Sequence, residues 1–198
     1  MKIDLRPINA KDEPFLLNVF FSTKVEQMIA SGWSLAEQEQ FVEGQFRSQT
    51  LAYGREFPAA QFTIILADGE PVGRLSIDPR PDEIRILDFV LLEAFRGQGI
   101  GTKLITGLCE EFGLGRTVSG HIDRQSPAER LFERLGFERS IEADDTFLWI
   151  WRRSGHRHST TPGSGGTDYD KDGDPDVFIA NNAGTPRFDR NTTDTGNH

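Results

Sequence analysis

Apolar and polar positions change their period several times along this chain, and each change marks an element. Residues 3–8 alternate as a half-buried strand does. Residues 12–22 place Phe15 and Val19 four apart, the spacing of an amphipathic helix. Ser34-Leu35-Ala36-Glu37 has capping-box spacing, so a long helix is predicted to start there and run toward Tyr53, with Phe57-Pro58 stopping it. Two apolar runs, 61–67 and 71–77, flank Asp68-Gly69. That pair suits a type I′ turn, which needs positive φ at both central positions, so a hairpin is predicted.

A third apolar run, 84–92, extends the sheet until Gly97, Gly99 and Gly101 interrupt it. Leu104, Leu108 and Phe112 then repeat every four residues, which opens a helix at the glycines. Residues 118–122 read as a short strand. Ser126-Pro127-Ala128-Glu129 reads as a helix start, with Ser126 as N-cap and proline in the first helical position. Gly136 is a suitable C′ residue, and residues 146–151 form a last, aromatic-rich strand. Adjacent strands followed by strand–helix–strand–helix–strand predict an α+β, or mixed α/β, class with one central sheet.

Composition narrows the setting. The 198 residues allow one full domain and a fragment of a second. No apolar run approaches the roughly 18 residues of a membrane helix. The start Met1-Lys2-Ile3-Asp4-Leu5-Arg6-Pro7 has no apolar segment of the secretory kind, so no signal peptide is expected. The lone Cys109 excludes an internal disulfide or a cysteine-built zinc site, and it is read as a packing residue. A cytoplasmic protein is expected, without membrane partners. The net charge of −9 argues against non-specific nucleic-acid binding and is compatible with a cationic substrate.

The chain changes character near Arg153. Residues 154–166, Ser-Gly-His-Arg-His-Ser-Thr-Thr-Pro-Gly-Ser-Gly-Gly, have linker composition and too few apolar groups for a core. The expected organisation is a folded domain over 1–153, a flexible linker over 154–167 and a separate fragment over 168–198.

The clearest chemistry lies in Phe95-Arg96-Gly97-Gln98-Gly99-Ile100-Gly101-Thr102. A strand feeds a glycine-rich turn that opens a helix. Glycines let backbone N–H groups converge, and the helix start adds partial positive charge. Such a turn suits a phosphate or pyrophosphate, or is simply a tight turn. Thr102-Lys103 has the wrong order for a P-loop, and G-x-G-x-G is not the dinucleotide fingerprint. Arg96-Gly97-Gln98-Gly99-Ile100-Gly101 does resemble the acyl-CoA signature R/Q-x-x-G-x-G/A of the GNAT N-acetyltransferase superfamily. Residues 128–137, Ala-Glu-Arg-Leu-Phe-Glu-Arg-Leu-Gly-Phe, resemble the A-x-x-L-Y-x-x-x-G-F element of the same superfamily. The resemblance covers about residues 3–152.

The resemblance implies a twisted, splayed, mostly antiparallel sheet flanked by helices, with acetyl-CoA as cosubstrate in the gap. Arg96, Gly97, Gln98, Gly99, Ile100, Gly101 and Thr102 would hold the pyrophosphate. Backbone groups of Phe89, Val90 and Leu91 would pair with the pantetheine arm like an added strand. Ser126 and Phe132 would lie near the cofactor. A primary amine, on a small molecule or a peptide, would attack the thioester directly in a ternary complex. Glu83, thirteen positions before Arg96, has the spacing of a catalytic glutamate in some lysine-acetylating members, or is an ordinary carboxylate. Asp88, between Leu87 and Phe89, is a base, a binder of a cationic substrate, or the partner of Arg85 or Arg74. His121 and Asp123 are weaker candidates, and Trp33 could stack on a cation. Two residues depart from the pattern. Phe132 stands where many members carry a proton-donating tyrosine. Ser126 stands where many carry asparagine, and its N-cap role is sufficient.

The tail differs. Asp168, Asp170, Asp172, Gly173, Asp174 and Asp176 make a D-x-D-x-D-G-x-x-D run suited to Ca²⁺. With Val177-Phe178-Ile179-Ala180 it resembles an FG-GAP or VCBS propeller repeat, or it is an irregular acidic tail. The leading expectation is an acetyl-CoA-dependent N-acetyltransferase, for which a homodimer is admissible. The alternatives are a catalytically weak acyl-CoA-binding module and a calcium-binding interaction protein acting through the tail.

Overall fold

The computed structural model of the chain describes residues 1–112, 115–124, 126, 128–143, 146–153 and 178–180. The main chain runs through β1 (Ile3–Pro7), α1 (Glu13–Ser22), α2 (Val25–Ser31), α3 (Leu35–Glu56), β2 (Gln61–Ala67), β3 (Glu70–Pro79) and β4 (Glu83–Leu91). It continues through α4 (Ile100–Phe112), β5 (Thr117–Asp123), α5 (Ala128–Arg134), β6 (Glu138–Ala143), β7 (Thr146–Arg152) and β8 (Phe178–Ala180). The strands form one mixed sheet in the order β1-β2-β3-β4-β5-β7-β6, and β8 pairs with β4. Every pair is antiparallel except β4 with β5.

Local rules place these elements. Ser34 caps α3 through a reciprocal capping box with Glu37, and Phe57 closes its far end. Asp68 and Gly69 both take positive φ, 48° and 90°, at the β2–β3 turn. Gly136, at φ 81°, ends α5. α2 and β6 are additional to the elements that periodicity predicts. Phe178–Ala180, which the sequence analysis places in the tail fragment, is a strand of this same sheet.

Alternation along β2 divides two apolar layers. Ile65 and Ala67 join the layer under α4 and α5, which holds Ile84, Ile86, Phe89, Ile105 and Phe132. Ile64 joins the layer under α1, α2 and α3, with Leu16, Phe20, Met28, Val42 and Phe46. Cys109 lies in the first layer, and burial pushes its thiol up to about 12, so it acts as a packing group.

The entry to α1 is fixed by charge. Arg6 grips Asp12 with two bonds of 2.7 Å, and Asp12 also accepts the Asn9 amide at 2.9 Å. The Arg6 hydrogen bond and the Asn9 amide hold the Asp12 carboxyl at about 2, below the usual carboxylate range. A depressed native value adds stability that is present above the unfolded value of about 3.9 and disappears as pH falls through about 2. Asp12→Asn is therefore expected to lower stability at neutral pH and to flatten the loss of stability between about pH 4 and 2. Urea unfolding of both proteins across that range measures it.

Candidate functional site

The site begins with a change of register in β4. Ser76 faces Asp88 and Ile77 faces Ile86, so Leu87 is an extra residue, a β-bulge. Up to that point β4 pairs with β5, from Glu83 opposite Thr117 to Ile86 opposite Gly120. Beyond it, β4 follows β3 to the Gly73–Leu91 pair, and β5 follows β7 to the Asp123–Thr146 pair. The two central strands part, and a slot opens between their inner edges.

Gly73 holds the outer wall of this slot. A Cβ there would lie 2.2 Å from the Val90 carbonyl oxygen and 3.1 Å from the Leu91 Cα. β3 and β4 can approach this closely only because residue 73 has no side chain. Phe89, Val90 and Leu91 are fully buried, and their backbone forms one inner edge of the slot. Phe178–Ala180 lies on that edge, with Ala180 opposite Asp88, Ile179 opposite Phe89 and Phe178 opposite Val90.

The glycine loop continues from the open end of β4. Arg96 donates from Nε to the Leu91 carbonyl at 2.9 Å, and Gln98 donates to the Ala94 carbonyl at 2.9 Å. Those two side chains brace the loop internally. Gly97 and Gly99 have φ of 70° and 74°, a left-handed conformation that costs an L-residue about 1–2 kcal/mol. The first helical bond runs from the Lys103 amide to the Gly99 carbonyl at 3.0 Å. Ile100, Gly101 and Thr102 thus occupy the first turn of α4, whose N–H groups lack intrahelical acceptors. Arg134 donates to the Thr102 hydroxyl at 3.2 Å and ties α5 to this end of α4.

On the other face, a cavity of about 400 Å³ lies between the sheet and α1 and α3. Its walls include Ile8, Leu16, Phe46 and Phe62, and its polar groups include Gln49, Tyr53, Arg74 and Asp88. The bulge sends both Leu87, which packs on Tyr53 and Phe57, and Asp88 toward α3. Asp88 is 2% exposed and ion-paired with Arg74. Burial pushes its carboxyl up, and the charge and hydrogen bond of Arg74 oppose that only in part. Arg74 also donates to Gln49 at 3.3 Å, and the Tyr53 hydroxyl donates to the Leu87 carbonyl at 3.4 Å. Arg74, and not Arg85, is the arginine that meets Asp88.

Glu83 lies elsewhere. It sits five residues upstream on the paired part of β4, about 16 Å away at strand rise. Ser119 donates to it at 2.5 Å, and Arg80 and Arg85 each approach at 3.2 Å. Burial alone would raise its carboxyl, but the Ser119 bond and both arginines outweigh that and hold it low. His121, on the neighbouring strand, is pushed down by burial and by Arg85, with Glu83 opposing.

The remaining predicted positions have the following surroundings. Ser126 accepts the Ala128 amide at 3.3 Å, as an N-cap does. The Phe132 ring is fully buried against Phe137 and Trp149. Trp33 stacks edge-on against Phe41 and does not line the cavity. The aspartates from Asp168 to Asp176 lie outside the described residues. Among the described residues no cluster of three or more His, Cys, Asp or Glu could hold a metal. No described helix is long and apolar enough to cross a membrane. The cavity and the bulge are what sequence reasoning missed. The consecutive apolar pair Ile86-Leu87, which breaks the alternation before Asp88, is the signal that could have found them.

Comparison with known proteins yields the same architecture. Residues 27–137 match the profile of the acetyltransferase (GNAT) family. No curated protein matches the chain. Among solved structures, the PaiA N-acetyltransferase of Thermoplasma acidophilum in complex with coenzyme A is similar at 16% identity. That match covers 77% of this chain and 99% of that one, with a TM-score of 0.58. An acetyltransferase from Thermus thermophilus is 24% identical over 76% of this chain and 96% of its own, with a TM-score of 0.55. The aminoglycoside acetyltransferase AAC(6')-Ib in complex with coenzyme A is 20% identical over 77% and 95%, with a TM-score of 0.54. At these identities the likeness establishes the fold.

Gly73→Ala is expected to cost about 1–3 kcal/mol, the usual penalty for overpacking. It should also speed amide exchange at Val90 and Leu91, because the displaced backbone is theirs. Denaturant unfolding and hydrogen exchange read the two effects.

Proposed function

Because the chain belongs to the GNAT acetyltransferase family, we propose that it transfers an acetyl group from acetyl-CoA to a primary amine by direct attack in a ternary complex. One observation carries this reading: the slot opened by the β4 bulge runs from the glycine loop to Asp88, where it meets the cavity. A cofactor and an acceptor can therefore approach β4 at the same point from opposite sides.

The first-turn amides of α4, with Gly97 and Gly99, would take the pyrophosphate. The edge of residues 89–91 would pair with the pantetheine arm as an added strand. A backbone N–H near Val90 would meet the thioester oxygen and stabilise the oxyanion. Amine nitrogen then bonds to the carbonyl carbon, the C–S bond breaks, and the pair leaves on sulfur. A thiol with a pKa of about 8.5 leaves readily as thiolate, so Phe132 need not be replaced by a donor.

Asp88, buried beside the cavity, would take the amine proton. Its raised affinity for protons suits a base better than the charge-stabilised Glu83. Arg74 holds the carboxylate in place and cancels its charge. The walls of the cavity are apolar, and its two formal charges sum to zero. The acceptor is accordingly an amine with an apolar body that enters uncharged, because the one carboxylate of the cavity is already paired with Arg74. Phe132 favours a second reading, acyl-CoA binding with slow transfer, which steady-state thiol release separates from the first.

Ionised Asp88 is the active form, so kcat/KM should rise with pH on a limb above the ordinary carboxylate range. Asp88→Asn should lower kcat by about 10²–10⁴-fold, the usual worth of a general base, and abolish that limb. Glu83→Gln should leave the limb in place. The reverse pattern assigns the base to Glu83. In a separate test, Gly99→Glu should abolish acetyl-CoA binding in calorimetry while the thermal transition persists, because it adds strain at φ 74° and a negative charge at the anion site. Retained affinity would refute the assigned pyrophosphate position.

A further inference from the structure

The slot already has an occupant. Phe178–Ala180 runs antiparallel to residues 88–90 and lies against β5 as well, so it fills the opening between the parted strands. These are the same backbone positions that the pantetheine arm would pair with. We propose that this segment of the chain is the resident ligand of the slot, and that acyl-CoA binds only by displacing it. The inference rests on the acyl-CoA reading of the slot.

Three observations support it. First, Phe178–Ala180 pairs in register with residues 88–90, and an extended segment is the chemistry that satisfies the peptide groups of such an edge. Pantetheine offers two amides along its length, and Phe178–Ala180 offers a continuous peptide backbone. Second, Val177-Phe178-Ile179-Ala180 is an apolar, β-favouring run with no charge, flanked by aspartates on one side and Asn181-Asn182 on the other. It is the most strand-like stretch after Arg153. Third, the chain is long enough. β7 ends at Arg152, opposite Thr117 at the start of β5, and the slot lies toward Asp123. That separation is about 20 Å at strand rise. The intervening residues 154–177 number 24, and a chain of that length can reach at most about 80 Å, so the connection is sterically open.

The consequence is a reduced apparent affinity for the cofactor. If the segment fills the slot about nine-tenths of the time, the apparent Kd for acetyl-CoA rises about tenfold over that of the open slot. Occupancy by its own strand would also protect the enzyme's open edge when the cofactor is scarce.

The test uses the full chain with Ile179→Pro and Ala180→Pro together. Successive strand residues point their N–H groups to opposite edges, so the pair removes whichever donor meets β4. Acetyl-CoA is titrated calorimetrically into both proteins, and amide exchange is followed at residues 88–90 and 178–180. The expected result is binding about tenfold tighter in the double variant, faster exchange at 88–90 in its free form, and loss of protection at 178–180 when acetyl-CoA is added to the wild type. Equal affinities would overturn the competition while leaving the cofactor reading intact. No binding by either folded protein would overturn both. Should the double variant not fold, the wild-type exchange decides: protection at 178–180 that survives saturation with acetyl-CoA refutes displacement, and its loss supports it.

Discussion

The extra residue in β4 is the constraint on which the rest of the structure turns. Side chains on a strand alternate, so one inserted residue reverses the parity of everything after it. Ile84 and Ile86 point into the layer under α4 and α5, and Phe89 and Leu91 do the same on the far side of the bulge. Without Leu87 as the extra residue, Asp88 would share a face with Ile84 and Ile86 and would enter an apolar core. With it, Leu87 and Asp88 both turn toward α3, where Arg74 meets the carboxylate. The same bulge bends β4 away from β5. One local irregularity thus produces the slot, its free edges and the placement of the carboxylate at its base.

The carboxylate is costly where it stands. Breaking a buried ion pair by removing one partner costs about 3–5 kcal/mol, and keeping such a pair is no net gain over packed apolar groups. A fold that only needed stability would place two aliphatic residues at positions 74 and 88. The pair instead sits beside a cavity, with Gln49 and Tyr53 anchoring its surroundings. Glu83 shows the contrast. Its partners Arg80, Arg85 and Ser119 surround it at the closed end of β4. That network ties β3, β4 and β5 together where they remain paired, and it lowers the very proton affinity that a base requires. Spacing to the glycine loop places Glu83 first among the candidates, while orientation favours Asp88.

Elements governed by local rules were legible in the sequence. The Ser34–Glu37 capping box, the Asp68-Gly69 turn and Gly136 each act within a few residues, and the structure has them as read. The glycine loop was legible as a tight turn that opens a helix for the same reason. α2 was not, because its short span, Val25–Ser31, offers little more than one repeat of the helical period. β6 was not, because Glu138-Arg139-Ser140-Ile141-Glu142-Ala143 is polar and takes its strand form from pairing with β7. The bulge depends on partners far apart in sequence, Ser76 with Asp88 and Ile77 with Ile86, and only their pairing reveals it. The role of Phe178–Ala180 was hidden in the same way. The aspartate run before it directs attention to a metal, whereas the place of the strand is set by an edge about ninety residues away.

A slot between parted strands poses a problem that the family's own ligand solves. Without β8, the inner edge at residues 88–90 would invite any extended chain, including a second copy of the same protein. On the proposed reading a bound acyl-CoA would cover that edge during turnover, and Phe178–Ala180 covers the β4 edge in its absence. Water can serve at the mouth of the slot, where the glycine loop is exposed, and less well beside Phe89 and Val90, which are buried. A tethered strand serves there because it supplies peptide groups in the right register and remains attached when displaced. Its hold must be weak enough for the cofactor to win. Three residues of antiparallel pairing fit that requirement better than a full-length strand would. On the proposed reading the bulge therefore sets two demands together, a gap wide enough for pantetheine and a cover that yields to it.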